Sequence, residues 1–307
     1  MFDPEHGFDT TIRSWRTVLA SRAWLVLVIS ALLGLLSSGC QRGPATLMAE
    51  LSEANRLASE LRVQFNKAAD ASNRAVMAET DEASIAFARD AEQSSTSVGR
   101  DVAALRPLLK GLAADEVKIL EQFEKQYSDY RKVNSEILAL AVENTNLKAQ
   151  RLSFGPARAA ADRFKAALGV LPTTLTATDR CRGEALVARA VLAVRELQTL
   201  QGPHIASADD AAMTAMEKEM AILDASVVEA LNGLSGLVEP TQQTAARAAF
   251  GEFKSLGEQI VALSRRNSNV RSLDLSLRVK PPLTSACDDS LRALQQALAT
   301  EGSQATR

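Results

Sequence analysis

Three sets of residues in this 307-residue chain could do chemistry. The first is a repeated Asn-x-Asn, at Asn144 and Asn146 and again at Asn267 and Asn269. Asn144 continues an apolar seam through Val133, Ile137, Leu140 and Leu147, and Asn267 continues one through Leu256, Ile260, Leu263 and Val270. A seam asparagine either fixes helix register at some cost in stability or offers a polar contact to a small ligand at a bundle end. Arg151 and Asp274 take the next polar seam positions with opposite charge. They could contact the same ligand, pair across two halves of the molecule, or mark a solvated bundle end. The second set is Cys181 and Cys287. A bridge between them would close a long loop and add roughly 4 to 5 kcal/mol in the entropy model. In a simple up-down register, however, the two lie at levels roughly 20 Å apart, beyond the roughly 7 Å that a disulfide tolerates, so both states stay open. The third is His204, beside Gly202-Pro203. No second histidine or cysteine pair stands at ligand spacing, so it reads as a corner histidine and no metal is expected. The other histidine, His6, lies near the start of the chain. Nucleophilic catalysis needs an oriented base beside a Ser or Cys, and no Gly-rich phosphate loop appears. The expectation is a protein that is not an enzyme and carries no cofactor.

The elements that would position these residues are helices. Aromatic residues make up 4% of the chain, and Gly and Pro fall at a handful of places. Such a composition suits long helices in bundles. Leu47, Leu51, Ala54, Ala58, Leu61, Phe65, Ala68, Ser72 and Ala75 recur at steps of three and four, a seam period. Thr80-Asp81 opens a second helix with Ile85, Ala88, Ala91, Val98, Val102 and Leu105, which Pro107 is expected to kink or to shorten. A third pattern runs from Val117 through Tyr130 and Ile137 to Phe154, where Gly155-Pro156 predicts a stop and a new start. A fourth helix reaches about Leu168, and Leu171-Pro172-Thr173-Thr174 breaks the chain. The second half replays this order. A helix spans Asp179 to Gln201, Gly202-Pro203 interrupts, and Ser207 with Asp210 has capping-box spacing. Another helix runs to about Leu237. Glu239-Pro240 starts a long one to about Leu277, and Pro281-Pro282 opens the last, ending near Glu301 before a disordered tail at 302–307.

The replay extends to the residues. Aligning Asn144 on Asn267 places Ile137 on Ile260, Leu140 on Leu263, Asn146 on Asn269 and Leu152-Ser153 on Leu275-Ser276. The predicted fold is all-α, with two tandem antiparallel four-helix bundles at 46–170 and 176–301. A third arrangement merges helices from both halves into stacked bundles, but it expects a continuous helix through Leu171-Pro172, which Pro172 opposes.

Two resemblances follow. Arg13, Arg16 and Arg22 precede an apolar run from Ala23 to Leu36, then Ser37-Ser38-Gly39 and Cys40. That run is about 14 residues, short for a bilayer span, and the pattern is that of a secretory signal. With Cys40 after the small residues, it resembles a bacterial lipoprotein signal. The resemblance implies that 1–39 is removed, that Cys40 carries acyl chains, and that 40–45 is a tether. Two or more chains make a stable anchor. Four helices in about 125 residues outside the membrane resemble the ligand-binding domain of methyl-accepting chemotaxis receptors. The carriers are Gln201 to Met213 at the first corner, and Ile137 to Gly155 with its copy Ile260 to Arg278. Membership would imply a sensing module working by small helix shifts. Those receptors continue into a membrane helix and a signalling coiled coil. This chain stops at Arg307, so the expectation is that it does not signal alone.

The expected partners are therefore a membrane, reached through the acyl chains, a small-molecule ligand, and an envelope protein or a second copy. A formal net charge of -2 with signs well mixed implies no nucleic acid. The expected location is the cell envelope facing the periplasm. Gln41 after Cys40 resembles the outer-membrane default more than inner-membrane retention. The alternative function is a helical spacer or scaffold.

Overall fold

Where the seam period is regular, the chain is helical. The computed structural model describes residues 44–305, residue 113 excepted. Helix α1 is Pro44–Val76, α2 is Asp81–Leu112 and α3 is Ala114–Glu143. Leu51, Ala54, Ala58, Leu61, Phe65, Ala68, Ser72 and Ala75 are all buried along one stripe of α1. Along α2 the stripe begins later than expected: Ala88, Ala91, Val98, Val102 and Leu105 are buried, whereas Ile85 is exposed. Pro107 lies inside α2. After α3 come α4, Thr145–Leu152, and α5, Arg158–Gly169. A 3-10 turn at Leu171–Thr174 makes the expected break. Then follow α6, Arg180–Ala206, α7, Asp210–Gly233, α8, Pro240–Arg266, α9, Ser268–Asp274, and α10, Lys280–Ala305. No strand occurs among the described residues, and an isolated bridge joins Ser235 to Val238. The fold is all-α. No helix among the described residues is long and apolar enough to cross a membrane.

Several expected boundaries move. Gly202-Pro203 does not interrupt a helix but lies within the last turns of α6. The corner is at 207–209, and its cap is Asp209, whose Oδ1 accepts from the Ala211 and Ala212 amides at 2.8 and 3.3 Å. Helix α7 ends at Gly233 rather than near Leu237, and Gly236 takes φ +84 in the turn that follows. Residues 302–305 belong to α10, so the expected tail at 302–307 is helical as far as Ala305.

Gly155-Pro156 does not stop the helix either. Ser153–Ala157 is a π-turn in which the Arg158 amide reaches back to the Ser153 carbonyl. Leu275–Val279 is its counterpart, with the Lys280 amide on the Leu275 carbonyl. A wide π-turn accommodates a proline that would clash with the carbonyl four residues back in an α-helix. The chain therefore runs from α3 through α5, and from α8 through α10, with one sharp bend in each path. The bends fall at Asn144 (φ 50) and Asn267 (φ 53), the two positive-φ residues other than glycine among the described residues. Asparagine is one of the few side-chain-bearing residues that visit this left-handed region routinely.

These continuations decide the packing. The expectation that 46–170 and 176–301 each close their own bundle differs from what the contacts show. Helix α10 packs on α1 and α3, and α5 packs on α8 and α6. One core joins Leu61, Phe65, Leu105 and Phe123 to Cys287, Leu291, Leu294 and Leu298 of α10. The other joins Phe164 and Leu168 of α5 to Val194, Leu197, Phe250 and Phe253. Each half thus lends its last helix to the other. The crossing happens at the Asn144 and Asn267 bends, after which α4 already packs on α8 and α9 on α3; the π-turns carry each path onward, and Leu171-Pro172 takes no part. A third, smaller core of Ala75, Ala88, Ala91, Ile137 and Ala141 lies between α1, α2 and α3, with Leu275 packed against it.

Candidate functional site

The two bends meet. The Thr145 amide donates to Ser268 Oγ and the Ser268 amide to Thr145 Oγ1, both at 3.0 Å. The Asn146 amide donates to Asn269 Oδ1 and the Asn269 amide to Asn146 Oδ1, both at 3.1 Å. Asn146 Nδ2 donates to Asn267 Oδ1 at 2.8 Å, and Asn269 Nδ2 to Asn144 Oδ1 at 2.9 Å. Each bond has its mirror, as in an isologous contact about a two-fold axis. The equivalent residues lie 123 positions apart. Each side also ties to its own half: Asn144 Nδ2 donates to Ser84 Oγ at 2.7 Å, and Asn267 Nδ2 to the Ser207 carbonyl at 2.8 Å. Asn144, Asn146 and Asn267 are buried. The backbone amides that each bend frees are the ones satisfied across the joint, which is why the motif needs Asn, then Thr or Ser, then Asn. Of the two readings of Asn144 and Asn267, the geometry is that of register and pairing.

Arg151 and Asp274 are not brought together. Arg151 pairs with Asp81 at 3.1 Å, and Asp274 with Arg278 at 2.9 Å; both are solvent-accessible. Cys181 is exposed on α6 and Cys287 is buried in the α1–α3–α10 core; both thiols are free. Burial pushes the Cys287 thiol up to about 12. A thiolate is the reactive form, so a disulfide-exchange reagent should modify Cys181 within minutes in the native protein. Cys287 should react only on unfolding. Mass spectrometry of the labelled peptides checks this, and equal native labelling would contradict the packing.

The π-turns fasten to the first helix of the opposite half. Ser153 Oγ donates to Gln201 Oε1 at 2.7 Å, and Ser276 Oγ donates to Asn73 Oδ1 at 3.3 Å. Beyond this the halves diverge. In the first group, Lys280 is buried, with its ammonium on Ser72 Oγ and Asn73 Oδ1. In the second group, a cleft of about 380 Å³ opens between α6, α7 and α8. Helix α7 packs along α6 but scarcely along α8. Leu197, Gln201 and Phe253 form the buried floor, with Met220 half-buried beside them. Asp224, Lys254 and Glu258 lie at one end. Glu217 lies at the other, about 10 Å away along α7 at 1.5 Å per residue.

Glu217 ties the cleft to residues that flank the joint. Arg265 donates to it through Nε at 2.6 Å and Nη2 at 2.9 Å, which holds its carboxyl below the usual range, with His204 adding to the effect. His204, buried at the end of α6, places Nε2 2.9 Å from Glu217 Oε1 and Nδ1 2.8 Å from Ser264 Oγ. The Ser264 hydroxyl donates to the His204 carbonyl at 2.8 Å, so Nδ1 is the donor to Ser264. Arg266, two residues on, pairs with Glu143 beside the first bend. His204 thus sits buried beside the Glu217–Arg265 ion pair rather than at an exposed corner. Among the described residues, no group of three or more His, Cys, Asp or Glu gathers around a point fit for a metal ion.

Sequence alone does not mark Gln201, Glu217, Asp224, Lys254 and Glu258 as a site, because they come from three helices. One signal existed. Gly257, which lines the cleft, falls on Asn134 when the copies are aligned, and a Cβ there would meet nothing within 4 Å. Gly257→Ala should therefore raise stability by about 0.5–1 kcal/mol through helix propensity alone. A urea midpoint that falls instead would show that the cleft closes onto this position.

Comparison with protein-family models gives no match, and comparison with curated proteins gives none either.

Proposed function

We propose that the chain is a non-catalytic, lipid-anchored sensor module of the cell envelope, whose cleft between α6, α7 and α8 takes a small molecule. The two exchanged four-helix groups act as bundles of the chemoreceptor sensing type, as the resemblance at Gln201 to Met213 and at Ile137 to Gly155 implies. One observation carries the reading: the cleft ends on residues that hold the segments flanking the joint. Gln201 holds the Ser153 π-turn, and Glu217 holds His204. An occupant that moved α7 would therefore pull on the contact joining the two groups. Its volume of about 380 Å³ falls within the range of roughly 300–1,000 Å³ common for ligand sites. The anchor rests on Cys40 and the run before it, which lie outside the described residues; Cys40→Ser should move the chain from the membrane to the soluble fraction.

The test is a thermal-shift screen of the full chain against amino acids, organic acids, amines and aromatic acids. An occupant that binds only the folded state raises stability by about 2.7 kcal/mol at 100 times its dissociation constant. A saturable rise that Gly257→Leu abolishes supports the reading. A silent panel with a folded chain would move the weight to a spacer lipoprotein, which the reciprocal joint and exchanged helices would also suit.

A further inference from the structure

The charged end of the cleft is out of balance. Two carboxylates, Asp224 and Glu258, line it beside one ammonium, that of Lys254, which stands 3.8 Å from Asp224 and beyond hydrogen-bond length. Glu258 makes no hydrogen bond or ion pair among the described residues. Glu217 is already spent on Arg265 and His204. Burial, with Glu258 adding to it, pushes the Asp224 carboxyl up against the pull of Lys254. A positive group entering beside Asp224 would relieve that. A carboxylate entering there would meet two like charges.

The floor states the rest of the occupant. Leu197, Met220, Phe253 and Val261 present hydrocarbon and one aromatic ring. An aromatic ring near a cation adds attraction. At the deep end, Gln201 is buried and its Oε1 is taken by Ser153. That leaves its amide hydrogens without a partner among the described residues, on a side chain lining the cleft. They suit an acceptor oxygen at the far end of the occupant.

We propose that the cleft selects an organic ammonium ion with a hydrocarbon body, its charge between Asp224 and Glu258 and its body between Met220 and Phe253. This rests on the reading of the cleft as a ligand site and specifies its chemical class. It excludes simple organic acids of the same size.

Three probes that share a phenylethyl body and differ in the end group test it on the full chain at pH 7.5 by calorimetric titration: phenethylamine, 2-phenylethanol and 3-phenylpropionate. Saturable binding is expected for phenethylamine, at least tenfold weaker binding for the alcohol, and none for the acid. The Asp224→Asn/Glu258→Gln double variant, which keeps the shape, should lose at least tenfold toward the amine and leave the alcohol unchanged. Gly257→Leu, which fills open space, should lose both. Equal affinity for the three probes, or preference for the acid, overturns the ammonium assignment and leaves ligand binding standing. No binding by any of the three also overturns it, while the broader reading falls only if the wider panel is silent too.

Discussion

Asn267→Ala should destabilise the protein by about 3–5 kcal/mol, and Asn144→Ala by a similar amount. The figure has two parts. Alanine held in the left-handed region costs about 1–2 kcal/mol, a cost asparagine largely escapes. The lost side chain also leaves buried partners short of bonds, at about 1–3 kcal/mol each. For Asn267 the partners are Asn146 Nδ2 and the Ser207 carbonyl; for Asn144 they are Asn269 Nδ2 and Ser84 Oγ. Glycine separates the parts, because it accepts the backbone angle but makes no side-chain bond. Asn267→Gly should recover about 1–2 kcal/mol of the alanine loss. Urea unfolding midpoints of the two variants give the answer. If glycine and alanine lose equally, the left-handed bend is not what the asparagine serves. If both lose less than about 1 kcal/mol, the usual scale for one net hydrogen bond, the joint is not a structural element. The pair Asn144→Ala and Asn269→Ala should also be strongly non-additive, since the two side chains share a bond.

Lys280→Met should stabilise the protein near neutral pH, an unusual result for deleting a charge. Lys280 is buried at the start of α10, with two neutral acceptors and no carboxylate bonded to it. Burial lowers its ammonium to about 8 from an ordinary value of 10.5. The sign follows from linkage. Between about 8 and 10.5 the unfolded chain holds this proton and the folded chain does not, so stability rises with pH across that window. At 1.36 kcal/mol per pH unit the span amounts to up to roughly 3 kcal/mol. Below pH 8 the folded protein carries the charge and bears the full penalty. Methionine has similar length and no charge, and it packs in irregular space. Guanidinium unfolding at pH 7 and at pH 10.5 tests both halves of the claim. The variant should be more stable by about 2–3 kcal/mol at pH 7, and the advantage should nearly vanish by pH 10.5. A variant less stable than the native chain at pH 7 would mean that the bonds to Ser72 and Asn73 outweigh the burial.

Helices were the most legible part of the sequence. The stripe from Leu51 to Ala75 is buried as the period requires, because an apolar seam along one face of a helix packs against neighbouring helices. The repeat was legible as well, and Asn144 and Asn267 stood out within it. Their pairing across the joint was not, because sequence alone does not say which surfaces two copies share. Gly155-Pro156 misled for a physical reason. The same dipeptide that ends an α-helix fits inside a π-turn, and the difference lies in one backbone bond, Arg158 to Ser153. The path that crossed at Asn144 therefore continues into α5 in place of turning back, and α5 shares a core with α6 and α8. Cys181 and Cys287 were undecidable for a related reason, since their separation depends on which group each helix joins. The cleft was the least legible. Leu197, Glu217 and Phe253 belong to three helices, and their meeting depends on α7 standing away from α8.

The measurement that bears most directly on the account is amide hydrogen exchange of the full chain with and without saturating phenethylamine. Slower exchange is expected along the cleft helices α6, α7 and α8. It is also expected at Thr145, Asn146, Ser268 and Asn269, whose amides form the joint. Protection confined to the cleft helices, or no change anywhere, would contradict the claim that occupancy of the cleft is felt where the two halves meet.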